Sequence, residues 1–214
     1  MPLFRTTSAI TTIAFGASLI REVGRNHTPG VTVGIRQIKE LEKAIFIVAT
    51  AVYVLNAGKS NLREVQLLRY LDWAITTPML LKGLHVLAEE KGFSGSFAPA
   101  LALNLGMILF GYIYEFGNLN PKYERTIPLA LGFSTFAGVL TYVRLWGKHL
   151  RDRGCEVDGL LSFFYIGWTL YGINTLNPNE DFRQGLFNVL DLFNKGIYSL
   201  VLERVISKEL EQPQ

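Results

Sequence analysis

The chain has 214 residues, of which 49% are hydrophobic, 12% aromatic and only 18% charged, with a mean hydropathy of +0.24. Seven bilayer crossings of about 20 residues each would use about 140 residues and leave only short loops, which excludes a separate soluble domain. The net charge of +3 sits in basic residues between apolar stretches, a pattern that orients a membrane protein and does not build a nucleic-acid surface.

The first uncharged run, 6–20, has only Arg5 ahead of it and no small-residue cleavage pattern, so it reads as a span and not as a removable leader. A turn-rich connector, Asn26-His27-Thr28-Pro29-Gly30, follows. The second run is 44–58, and the third span, about 64–87, carries charges. Runs 97–114 and 126–143 are again uncharged, separated by the turn Asn118-Leu119-Asn120-Pro121. The single cysteine, Cys155, lies in a basic, polar stretch and implies no disulfide framework. The run 159–179 ends in a turn containing Pro178, and the last span, about 184–202, is charged. None of these runs has the short alternation of a barrel strand. A lipid-spanning backbone must satisfy its polar groups internally, so all are expected to be helices. The expected fold is an all-α bundle of seven transmembrane helices forming one domain over 1–214, without a metal site.

Lysine and arginine set the expected orientation. Arg21, Arg25, Arg36, Lys39 and Lys43 flank the first connector, Arg144, Lys148, Arg151 and Arg153 the fifth, and Arg204 and Lys208 follow the last span. Fewer lie on the opposite side, which puts the N-terminus outside and the C-terminus in the cytoplasm. The Asn26-His27-Thr28 sequon then falls on the inner side, where it carries no meaning.

Charges inside a span cost at least about 2.5–3.5 kcal/mol each on insertion scales, so they face the protein interior and find partners. The third span holds Arg69 and Asp72 within Arg69-Tyr70-Leu71-Asp72-Trp73-Ala74-Ile75-Thr76-Thr77-Pro78, and the seventh holds Asp191 and Lys195 within Leu190-Asp191-Leu192-Phe193-Asn194-Lys195. Spacings of three and four residues put each pair on one helix face. Taken alone, the two cations and two anions are equally consistent with a salt-bridge cluster that fixes packing, an ion-coupling site of a transporter, or a chromophore site.

The residues around these charges favour the third. Arg-Tyr-x-Asp-Trp-x-x-Thr-Thr-Pro followed by Leu-Asp-x-x-x-Lys in the last span resembles the microbial (type I) rhodopsins, including the branch found in large viruses. The resemblance implies all-trans retinal held as a protonated Schiff base on Lys195, with Asp72 as main counterion and proton acceptor and Asp191 as second counterion. It further implies a retinal pocket made by Trp73, Thr77, Met107, Gly111, Trp168 and Tyr171, with Asn104 nearby and Tyr53 close to Asp191. Two positions depart from the family pattern: Gly172 stands where proline is common after the tyrosine, and Thr175 where an aromatic is usual. Both bear on the shape and colour of the pocket.

Arg69, one turn outward of Asp72, is expected to keep both carboxylates ionised, and Thr76, one turn inward, to hydrogen-bond the Asp72 carboxylate. Tyr53 and Tyr171 can do the same for Asp191. Eleven residues after Asp72, where pumps of the family carry a proton donor, stands Gly83 beside Lys82. Glu42, eleven residues before Tyr53, lies about 16 Å from it along a helix axis and could replace that donor, provided the second helix begins near Gly34. Otherwise Glu42 is an interfacial charge paired with Lys39 or Lys43, and Glu40 points elsewhere. Asn188 and Asn194 can hold water in either a proton or an ion path. Glu180 and Asp181 are outward carboxylates available for proton release or simply solvated. The expected function is a light-driven outward proton pump working in a lipid bilayer. The alternatives are a light-gated cation channel, a photosensor and, from another class, a transporter without retinal. By the resemblance a homo-oligomer, trimer or pentamer, is expected.

Overall fold

The computed structural model describes residues 2–24, 31–118 and 124–211. The Asn26-His27-Thr28 sequon, and the second turn beyond Asn118, lie outside the described residues. Helix α1 covers Pro2–Val23, α2 Val33–Ala57, α3 Leu62–Glu90, α4 Ala98–Phe116 and α5 Thr126–Asp152. Helix α6 runs over 158–175 with a π-helical stretch at Phe163–Gly167. Helix α7 runs over 180–211 with a second π stretch at Leu192–Ile197, which contains Lys195. The described residues are all helix, turn or irregular, with no strand. Each helix packs on its neighbours in sequence, and α1 closes the ring against α7.

The helices overrun the uncharged runs. Helix α5 continues to Asp152, so Arg144, Lys148 and Arg151 stand on its inner end and not in a loop. Three helices, Leu3–Val23, Ala98–Phe116 and Thr126–Asp152, are long and apolar enough to cross a membrane by composition alone. The others carry the buried charges or are interrupted by π turns, and these are the features that build the site. Bundle polarity is inverted relative to a water-soluble protein. Ile13, Ile20, Val33 and Ile127 are exposed, while Arg69, Asp72, Asp191 and Lys195 are buried. Only a hydrocarbon surrounding makes that arrangement favourable.

Local chemistry fixes the ends and bends. Thr32 caps α2, its hydroxyl accepting from the Ile35 N–H at 3.2 Å. The Gly34 N–H donates to Glu90 Oε1 at 3.0 Å, and a side chain on Gly34 would occupy the space of that carboxylate. Pro78 lies inside the continuous α3, and in the preceding turn the Thr77 and Thr76 hydroxyls donate to the carbonyls of Trp73 and Asp72 at 2.7 and 2.9 Å. Where the two π stretches meet, Gly167 faces Asn194, whose Oδ1 occupies the position a Cβ would take. Gly167→Ala must therefore displace a buried amide. It is expected to destabilise the protein by about 1–3 kcal/mol, as overpacking does, read as a lower midpoint of thermal unfolding.

Candidate functional site

Helices α3 and α7 bring the four intramembrane charges together. The Lys195 ammonium donates to Asp72 Oδ2 in a short, direct ion pair, and lies 3.5 Å from Asp191 Oδ1. Arg69 Nη1 donates to Asp191 Oδ2 at 2.9 Å. The guanidinium thus pairs directly with Asp191, while Asp72 is held by Lys195. Its other nitrogens go to Asn188 Oδ1 at 2.7 Å and Gln184 Oε1 at 3.2 Å. Charge is balanced, two cations against two anions, which is what allows the group to be buried; removing one member of such a set costs about 3–5 kcal/mol.

The two carboxylates have different surroundings. Asp191 accepts from the Tyr171 hydroxyl at 2.6 Å, the Tyr53 hydroxyl at 2.7 Å and Trp73 Nε1 at 3.1 Å, besides Arg69. Its lone pairs are filled. Asp72 has Lys195 on one oxygen, while its Oδ1 has no hydrogen-bond partner among the described residues. Thr76 does not supply one, because its hydroxyl is spent on the Asp72 backbone carbonyl, the usual i−4 bond of a helical threonine. A free buried oxygen beside the lysine nitrogen is a place for a proton.

The Lys195 amine opens onto an apolar cleft between α3, α4, α5, α6 and α7. Trp73, Thr77, Met107, Gly111, Trp168 and Tyr171 all line it, as expected from the sequence. Trp73 and Tyr171 meet edge to face at 5.2 Å. The cleft suits a long, flat polyene on an observation of its own: its lining is apolar, and at Gly111 a Cβ would stand 3.2 Å from the Tyr70 hydroxyl oxygen and 3.4 Å from its ring, so a larger residue would crowd Tyr70 at this wall. At the departure site Gly172, a Cβ would come within 2.9 Å of the Phe133 ring, and Phe133 lines the cleft with Thr175. An aromatic from α5 thus occupies space that the sequence comparison left uncertain. Thr77 also donates to Asn104 Oδ1 at 3.0 Å, tying α3 to α4.

Inward of the site, Glu42 is buried on the bundle side of α2, and α2 begins at Val33 as the donor reading required. The Ser199 hydroxyl of α7 is among the polar groups near its carboxylate. Lys43 is turned away to Glu40 at 2.9 Å. Gly83 is buried with no carboxylate to offer, and the neighbouring Lys82 pairs with Glu89 at 3.0 Å. Outward, Asn188 is occupied on both sides, accepting from Arg69 and donating to Thr7 Oγ1 at 2.9 Å. Asn194 Oδ1 is buried against Gly167 and has no hydrogen-bond partner among the described residues. Asp181 accepts from the Phe4 N–H at 3.3 Å, and Glu180 is exposed, 3.9 Å from Arg183. The outer ion pair that the sequence did not reveal is Glu115–Arg183, at 2.7 Å and largely buried. Glu115 falls one residue beyond an uncharged run, so nothing in the local sequence separates it from an interfacial charge.

This constellation agrees with the comparisons to known proteins. The model of the bacteriorhodopsin-like proteins matches residues 5–208, so the chain belongs to that family. It is a microbial rhodopsin, an integral multi-pass membrane protein of the retinal-photoreceptor kind. Among curated relatives, Opsin-1 of Neurospora crassa is 29% identical over 151 residues, covering 65% of this chain and 49% of that protein. Sensory rhodopsin-2 of Natronomonas pharaonis is 28% identical over 143 residues, covering 59% and 56%. The chain thus spans about half the length of these curated relatives. Among solved structures, the viral rhodopsin OLPVRII superposes with a TM-score of 0.75 at 28% identity over 96% of this chain and 98% of that one. The rhodopsin of Exiguobacterium sibiricum gives 0.79 at 19% identity over 96% of each, a likeness of fold alone.

Proposed function

We propose that the protein binds all-trans retinal covalently at Lys195 and acts as a light-driven outward proton pump. When bound, retinal supplies the light absorption and a light-induced fall in proton affinity at the lysine nitrogen; the rest is the work of the chain. Asp72 takes the proton, on the observation that it has an open oxygen and is in contact with that nitrogen. Asp191, filled by four donors, stays a fixed anion, and Arg69 holds it there while blocking the outward side. Trp73, Trp168, Met107 and the Gly111 gap hold the polyene and exclude water. Glu42 returns a proton from the inner side.

The observation that carries the pump reading is the placement of Glu42. It lies in the bundle beside Ser199, one helical turn (four residues, about 6 Å of axial rise) inward of Lys195 on α7. Helix α3 has no carboxylate at the usual donor position, and this residue supplies one from α2. The channel reading finds less support, because Asn188, Arg69 and Gln184 are bonded into a plug on the outward side. The ion is H+, the setting is a host-cell membrane, and the assembly is a homo-oligomer.

Illuminated cells in weakly buffered medium should acidify it, and a protonophore should abolish the signal. Photocurrents that reverse with voltage would instead make the protein a channel. Glu42→Gln is expected to slow the recovery of the deprotonated state by about 10²-fold, the low end of what a placed acid contributes, with azide partly restoring it in flash spectroscopy. Recovery at the wild-type rate would reject the donor.

A further inference from the structure

At the outer end of the bundle Arg63 of α3, Arg125 at the start of α5 and Arg183 of α7 line a polar cavity of about 410 Å³, together with Glu115 and Glu180. Arg183 is the one with carboxylate partners. Its Nη2 donates to Glu115 Oε1 at 2.7 Å and its Nη1 to the Asn177 carbonyl at 3.3 Å, but its Nε is buried with no hydrogen-bond partner among the described residues. Arg125 Nε is likewise buried without a partner among them. The Arg125 guanidinium has the Tyr114 ring at 5.9 Å, and that of Arg63 has the Phe116 ring at 5.7 Å. Neither is ion-paired to a carboxylate of the described residues. The cavity ends inward on two buried amides: Gln184 Nε2 donates to Gln66 Oε1, and Gln184 Oε1 accepts from Arg69 Nε at 3.2 Å.

A buried N–H group without an acceptor is costly, and in native proteins such a group is met by water or an ion. Here two of them belong to cations that line one cavity, where three arginines face two glutamates and Glu180 is largely exposed. Anionic acceptors satisfy guanidinium N–H groups best, and an oxoanion matches the spacing of the guanidinium fork. Helix ends add to the field. The outer ends of α3, α5 and α7 are N-termini, and α5 begins at Thr126 without a side-chain cap, against the single C-terminus of α4 at Phe116. At about 30 Å³ per water, the cavity has room for an oxoanion and part of its hydration. We propose that this cavity is a binding site for a small oxoanion of the phosphate type, taken from the outer water and held by Arg125 and Arg183. A lipid headgroup carries the same chemistry, but the buried Gln66 and Gln184 put the inner end of the cavity within the ring of helices. The site is separate from the lysine cleft and does not depend on retinal.

Phosphorus NMR of inorganic phosphate, added to the whole protein in a phosphate-free detergent at constant ionic strength, reads the site directly. Binding should saturate. Arg125→Gln removes a cation that has no ion pair among the described residues, so the fold should persist and binding should weaken about tenfold or more, the effect of one lost charge-assisted hydrogen bond. Glu115→Gln frees Arg183 Nη2 and removes a like charge, so binding should tighten by about tenfold. A cavity merely damaged by substitution would not bind more tightly. Arg5→Gln, at an exposed arginine on the outer end of α1, should leave binding unchanged and separates the site from general surface charge. Helical circular dichroism checks the fold of each variant, and Arg125→Gln decides the matter even if Glu115→Gln does not fold. Binding that does not saturate, equal affinity with and without Arg125, equal losses in Arg125→Gln and Arg5→Gln, or weaker binding by folded Glu115→Gln would each overturn the proposal. So would binding of short-chain phosphatidylglycerol with none of inorganic phosphate, which would make the cavity a lipid contact.

Discussion

Expressed with all-trans retinal, Lys195→Ala protein is expected to be colourless. The cleft offers one buried primary amine, and that amine lies at the end where Trp73, Asp72 and Asp191 converge. Without it the aldehyde has no nucleophile at this wall. The substitution also leaves Asp72 and Asp191 facing Arg69 alone, an uncompensated buried charge worth about 3–5 kcal/mol of stability. Loss of colour could then reflect loss of fold, and a second variant separates the two. Lys195→Ala/Asp72→Asn restores the charge balance, so it should recover expression and helical circular dichroism while remaining colourless. Visible absorbance in either variant would dismiss the lysine assignment.

Asp72→Asn should keep the pigment and stop transport. The amide is nearly isosteric with the acid, so the cleft and Asp191 with its donors are expected to persist. What disappears is the open carboxylate oxygen and the negative charge in contact with the lysine nitrogen. Light-driven acidification by cells should fall by about 10²-fold or more, as expected when the acceptor of a proton transfer is removed. The absorption maximum should also move to longer wavelength, because the positive charge at the nitrogen is less tightly held when one of its two anions is gone. Flash spectroscopy should show no deprotonation step. A full pumping signal would mean that Asp191, despite its four donors, is the acceptor.

Most of this site was legible in the chain because the physics of a bilayer makes it so. Arg69, Asp72, Asp191 and Lys195 stand out against apolar surroundings, and helical spacing alone predicts which faces they share. The apolar cleft followed from Trp73, Thr77, Met107, Gly111, Trp168 and Tyr171, all of which line it. Partner choice was less legible. Arg69 bonds to Asp191 on another helix and not to Asp72 on its own, and Thr76 bonds to its own backbone. Each outcome depends on how α3 and α7 are rotated, and the π turn at 192–197 alters that rotation in a way no periodicity announces. The same limit hid Glu115–Arg183 and Arg21–Glu22. Both involve residues at span ends, where a charge is ordinary until its burial is known.

The closure of α1 on α7 bears on how such a protein can be made. Phe4 and Thr7 accept hydrogen bonds from Asn188, and the Phe4 N–H donates to Asp181, contacts that join residues 177 to 184 positions apart. Arg69 and Asp72 likewise find their partners 122 and 123 positions later. During synthesis, α3 enters the membrane with both charges lacking these partners, and they remain so until the last helix arrives. The half-built bundle therefore lacks the ion pairs of those two groups and has its earlier helix contacts to hold it. The chromophore site comes into being in a single final event, when the two ends of the chain meet.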